Sequence, residues 1–228
     1  MRLLLTTAAA LTLAAASLPA HSAVITLDFE GVGDLTPVGD FYNGGDGEDF
    51  GIGFSENALA IVDQDAGGNG NFGNEPTPDT ILFFLTGDAA TLNFAEGFTS
   101  GFSFFYSAIN SGGSIDVYDD LGATGNVLAT LDLAVTPSQS GDPTGQFNVF
   151  VPVGVEFDGT ARSIDFGGTI DQIGFDNITF GSATPGDTGG TIGDDDSSVV
   201  VPLPAAGWLL FAGLGGLGLT RRRRSKRS

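Results

Sequence analysis

Cysteine is absent from this sequence, which removes disulfides, thiolate nucleophiles and thiolate metal sites together. Histidine occurs once, as His21, ahead of the first strand-like pattern. A Ser-His-Asp triad and a His-rich zinc site are therefore closed off. Positive charge is almost missing between the two ends. Of eight Lys and Arg residues, Arg2 opens the chain, six stand at 221–227, and Arg162 alone lies between. No lysine there means no Schiff base, and one arginine makes no phosphate clamp. The only tryptophan, Trp208, is in the C-terminal tail. Helical periodicity is lacking too: no long window repeats apolar residues at i, i+3, i+4 and i+7 between caps.

What is abundant is acid. All 28 Asp and Glu residues fall between Asp28 and Asp196, and the 228-residue chain has a formal net charge of −20. Such a field repels phosphate backbones, which excludes nucleic acid as a partner, and it attracts cations. The one catalytic route left open is a carboxylate pair for glycoside hydrolysis. With so many acids, some pair reaches a suitable spacing by chance, so the body reads as non-enzymatic and a glycoside hydrolase ranks third among the functions considered.

Between residues 24 and 180 the chain alternates short apolar stretches with Gly, Asn, Asp and Pro. Residues 24–30 put Ile25, Leu27 and Phe29 on one face and polar residues on the other, as in a half-buried antiparallel strand. Further strands are predicted at 50–54, 58–62, 81–86, 91–94, 101–107, 114–118, 127–133, 147–157, 163–166 and 172–180. This pattern predicts an all-β fold, an antiparallel β-sandwich of jelly-roll type. Phenylalanine, 19 copies in all, supplies the core, with Phe102, Phe104 and Tyr106 on one face of their strand. In the last strand the apolar parity slips between Phe175 and Ile178, which predicts a bulge at Asp176-Asn177.

Both ends read as addresses. Residues 1–23 have the basic start, apolar stretch and small-residue cleavage site of a secretory signal peptide. Residues 181–200, rich in Gly, Ser, Thr and Asp, read as a flexible acidic linker. Residues 201–228 then combine Val201-Pro202-Leu203-Pro204-Ala205, an apolar run, and a stop-transfer cluster of Arg221, Arg222, Arg223, Arg224, Lys226 and Arg227. Residues 205–219 give about 22 Å of helix against a hydrocarbon core of about 30 Å. That short transmembrane helix suits a temporary membrane anchor, its arginines on the cytoplasmic side.

Calcium, which takes oxygen ligands, is the cofactor this composition favours, and two ligand sets are candidates. Asp63, Asp65, Asn69 and Glu75 surround a D-x-D-x-x-G segment, for which a solvated turn is the alternative. Asp28 and Glu30 on the first strand meet Asp176 and Asn177 in the last if the terminal strands are neighbours; two exposed carboxylate faces are the alternative there. A single G-G-x-G-x-D segment at 44–49 reads as an ordinary glycine-rich loop. Sugar binding would draw on aromatic platforms, and Tyr42 and Tyr118 are the two tyrosines outside the core stripe.

The tail resembles the VPLPA variant of PEP-CTERM sorting domains, and that resemblance implies recognition and cleavage by an exosortase-type membrane enzyme. It implies also export through the inner membrane to the cell surface or an exopolysaccharide matrix. The stretches 27–31 and 175–180 resemble the structural calcium site of jelly-roll carbohydrate-binding modules. Residues 41–45 and 51–60 look like a recurring opening of the β-sandwiches that carry such tails. The resulting expectation is a secreted structural or adhesive surface protein stabilised by calcium, with an exopolysaccharide-binding module as the alternative.

Overall fold

In a computed structural model, residues 24–136, 145–168 and 170–187 are described, and all belong to one compact unit, Met1–Gly189. Among the described residues ten strands carry the fold: β1 (Ile25–Leu27), β2 (Thr36–Pro37), β3 (Ile52–Phe54), β4 (Ala58–Val62), β5 (Thr80–Phe84), β6 (Ala89–Ala108), β7 (Gly113–Tyr118), β8 (Val127–Leu133), β9 (Val151–Gly168) and β10 (Ile173–Phe180). Every strand pair is antiparallel. The order is β2-β4-β5-β10-β6-β9-β7-β8, with β1 added to β10 and β3 to β6.

Two long strands fold this ladder into layers. β6 and β9 pair along almost their whole length, but the register slips between Asn93 and Phe98 and again before Ser100. Gly97 and Ser100 have positive φ there, as does Gly159 on the facing strand, and such bulges bend a ribbon sharply. One half of the ribbon joins β10, β5, β4 and β1; the other joins β3, β7 and β8. The core lies between the halves. Phe166 of β9 sits 6.3 Å from Phe102, 6.2 Å from Phe104 and 5.0 Å from Phe175, ring centre to ring centre, all tilted or edge-on. Phe94 and Phe98 meet Phe180 in the same way. Edge-to-face clusters of this kind add to the burial of each ring.

Several sequence expectations meet a correction here. The predicted strands 91–94 and 101–107 are one strand, as are 147–157 and 163–166, because the Gly residues between them bend the chain without ending its pairing. β1 stops at Leu27 rather than Glu30. Phe29 adopts a left-handed φ of 63°, unusual for a bulky residue, and still buries its ring completely. β2 has only two residues, both exposed, and leaves no periodic signal. The bulge expected in β10 is present: the pairing with β6 shifts between Asp176 and Thr179, and Asn177 has a φ of 49°.

β10 is buried on both faces. Its inner face meets the Phe core, and its outer face is covered by the loop before β5 and by the segment after Phe180. That last segment is the start of the expected linker, and it lies on the domain. Gly181 N donates to Gly101 O, Ser103 Oγ to Ser182 O, and Gly186 N to Thr179 Oγ1. A side chain at Gly154 would overlap the Ala183 carbonyl, so the bare backbone is what lets the segment lie flat. Residues 188–200 of the linker, the signal peptide and the whole sorting tail lie outside the described residues. Among the described residues no helix is long and apolar enough to cross a membrane.

Candidate functional site

A concavity opens where the ends of β4, β5 and β10 meet two loops. It holds about 310 Å³, at the lower end of the range for small-ligand sites. Ile81 and Phe83 of β5, with Ile173 and Gly174 of β10, form its floor. A Cβ at Gly174 would come within 2.5 Å of Ile81 Cδ1, so the tip of that side chain would have to turn away. Phe72 and Phe147, joined by a single parallel bridge, form one wall. Phe147 is the half-exposed ring of the three aromatics; Phe72 and Phe83 are nearly covered.

Among the described residues the rim is built from carboxamides, Asn69, Asn71, Asn110, Gln146 and Gln172, with Asp171 as the one charged residue. Local bonds fix their orientation. Asn69 Nδ2 donates to Asp34 Oδ2. Asn71 Oδ1 accepts from Gln146 N at 3.2 Å. Asn110 Nδ2 donates to Gln172 Oε1 at 2.9 Å, and Gln172 Nε2 donates to the Asp171 carbonyl at 2.7 Å. Among the described residues, Asn71 Nδ2, Asn110 Oδ1 and the Gln146 carboxamide make no hydrogen bond to protein. Both donors and acceptors are thus left over an apolar floor. Asparagine and glutamine at turns carry no motif, so sequence reasoning touched only Asn69 and Asn71, as part of the calcium candidate segment, and passed over Asn110, Gln146 and Gln172.

The predicted calcium residues at the chain ends are brought close. β1 pairs with β10 through Ile25 and Phe180, and Glu30 and Asp176 repel one another electrostatically. Each carboxylate is nevertheless turned onto its own threonine. Glu30 accepts from Thr80 N and Oγ1, Asp176 from Thr77 N, Thr77 Oγ1 and Asn177 N. Burial pushes the Asp176 carboxyl up to about 7, against the lowering effect of those hydrogen bonds; burial also raises Glu30. Asp28 caps Glu30 N at 3.2 Å. Among the described residues, no group of three or more His, Asp or Glu is placed to share one ion.

The other predicted ligand set is a tight turn. Gly68 N and Ala66 N both donate to the Asp63 carbonyl, Asp65 is exposed, and Asn69 is engaged by Asp34. Burial, with Asp63 and Asp79 nearby, raises Glu75. The tyrosines divide. Tyr42 is 4% exposed, boxed in by Phe29, Phe41 and Phe50, and its hydroxyl accepts from Phe29 N at 2.8 Å. It is core, which corrects its expected role as a sugar platform: the neighbouring glycine-rich loop folds its ring inward. Tyr118 is half-exposed beside Asp116 and Asp165 and lines none of the concavities described. The sorting motif Val201–Ala205 and the basic cluster lie outside the described residues.

No family model matches the chain, and no curated protein matches it. Among solved structures, it is similar to a family 6 carbohydrate-binding module, at 17% identity over 55% of this chain and 82% of that one, with a TM-score of 0.34. It is also similar to the K3 cleaved adhesin domain of Lys-gingipain from Porphyromonas gingivalis, at 12% identity over 55% and 91%, with a TM-score of 0.32. A family 43 arabinoxylan arabinofuranohydrolase from Bacillus subtilis matches over 55% of this chain and 24% of its own, at 18% identity and a TM-score of 0.36. Likenesses this distant carry neither ancestry nor ligand across.

Proposed function

We propose that this chain is an exported surface adhesin, without catalytic activity, whose β-layered body binds polysaccharide. The observation that supports this reading is the carboxamide-rimmed cleft over an apolar floor. Sugar hydroxyls are both donors and acceptors, and planar amides answer both, while the half-buried Phe147 ring offers an apolar edge to a pyranose. Among the described residues the lining has one carboxylate, which supports a binding role over the paired-carboxylate chemistry of hydrolysis. The jelly-roll wrapping belongs to the same proposal, supported by β1 lying beside β10.

The tail completes the role. Its VPLPA motif and arginine cluster are proposed to hold the body outside the inner membrane until an exosortase-type enzyme releases it to the surface or matrix. Calcium is proposed as a stabiliser of the Asp28–Glu30–Asp176 end, where it would relieve the repulsion between the half-buried Glu30 and the buried Asp176. The test is retention of the full-length protein on the immobilised exopolysaccharide of its own cells. Binding is expected to fall at least about tenfold, about 1.4 kcal/mol, in Gln146→Ala and Asn71→Ala. Retention equal to that on a bare matrix would overturn the adhesive reading.

A further inference from the structure

The same cleft carries information about which polysaccharide it takes, and this step rests on the carbohydrate reading above. We infer that its ligand is a neutral glycan, and that polyuronates and sulfated polymers are excluded. Two independent features lead there. The first is the pattern of polar atoms. Among the described residues Asn110 Oδ1 and Gln146 Oε1 are acceptors, and Asn71 Nδ2 and Gln146 Nε2 donors, that make no protein hydrogen bond. Neutral hydroxyls satisfy both sorts. A carboxylate or sulfate offers acceptors only, so it would leave Asn110 Oδ1, whose amide is fixed by the Nδ2 bond to Gln172, facing a ligand oxygen, and a desolvated polar group without a partner is costly.

The second feature is charge. Asp171 stands in the rim and no cation does. Arg162, the single cationic side chain of the body, is spent elsewhere, its Nη1 donating to the Ala95 carbonyl at 2.6 Å. A polyanion therefore meets a surface of its own sign with no counter-charge at the point of contact. A peptide is the competing macromolecule for a groove with mixed donors and acceptors. Extended peptides gain most of their affinity by adding to an open strand edge, and here β5 is already paired on both sides, by β4 and β10, and β10 by β5 and β6. The floor offers side chains and no free ladder.

The experiment is affinity electrophoresis of the full-length protein, in mild detergent, through gels containing a neutral polymer (hydroxyethylcellulose, xylan or galactomannan), polygalacturonate, heparin or gelatin. Each is run at low salt and at about 1 M salt, where the Debye length is about 3 Å. Retardation is expected with at least one neutral polymer at both salt concentrations, and none with polygalacturonate or heparin even when charge is screened. Asn71→Ala and Gln146→Ala are expected to lower retardation at least about tenfold, with far-ultraviolet spectra unchanged. Binding of polygalacturonate or heparin as tight as that of any neutral polymer would overturn the neutral class and leave the glycan reading standing. Retardation by gelatin alone, or by nothing, would overturn both. Neutral binding that both alanine variants leave intact would remove it from this cleft.

Discussion

Replacing Asp176 by Asn should change the pH dependence of stability more than the stability itself. Asp176 is fully buried, and its carboxyl is pushed from 3.8 to about 7, chiefly by burial. A raised folded-state value means the folded protein resists losing that proton. Below about pH 4 the carboxyl is protonated folded or unfolded, and the full stability is present. As pH rises, the unfolded chain ionises first, and stability drains away until the folded-state value is passed near 7. At about 1.4 kcal/mol per pH unit, the loss is about 4 kcal/mol, large against a typical total of about 5–15 kcal/mol. For a domain of this size that is about 8–16 °C in Tm. Asp176→Asn removes the ionisation. It should be about 1 kcal/mol less stable at pH 4.5, having lost an acceptor for Thr77 N or Asn177 N, and more stable than wild type at pH 8. Thermal melts of both proteins from pH 4 to 9 check this, and the difference between them cancels the other carboxylates. A difference that stays constant with pH, or that moves in favour of the wild type as pH rises, would refute the reasoning.

Other predictions rest on separate features. Calcium at millimolar concentration should raise the wild-type Tm at pH 8 and leave Asp176→Asn unmoved; an unchanged wild-type midpoint removes calcium from this end of the domain. Phe166→Ala, which empties the ring position shared by Phe102, Phe104 and Phe175, should cost about 3–5 kcal/mol in denaturant unfolding, and a loss below about 1 kcal/mol would contradict its central place. Tyr42→Phe should cost about 1–3 kcal/mol by orphaning Phe29 N while leaving polysaccharide binding at the wild-type level; lost binding in a folded variant would restore its platform role. Gly154→Ala should lift residues 182–187 off the sheet and expose them to limited proteolysis, whereas wild-type protection would show that the segment is held by something else.

The sequence by itself determined the fold class, because a period of two is written into each strand separately. Ile25, Leu27 and Phe29, or Ile115 and Val117, need only local alternation to declare a buried face. The slip between Phe175 and Ile178 likewise announced the bulge, since parity is a local property. Tertiary structure decided the rest. Whether Gly97 and Gly159 end strands or bend them depends on the partner strand, and whether Tyr42 faces water depends on where the glycine-rich loop folds. The cleft was least legible of all. Asn71, Asn110, Gln146 and Gln172 are scattered over about a hundred residues and look like ordinary turn residues until strand pairing gathers them. Their chemistry is a property of the place where three strand ends meet, and no single stretch of the chain contains it.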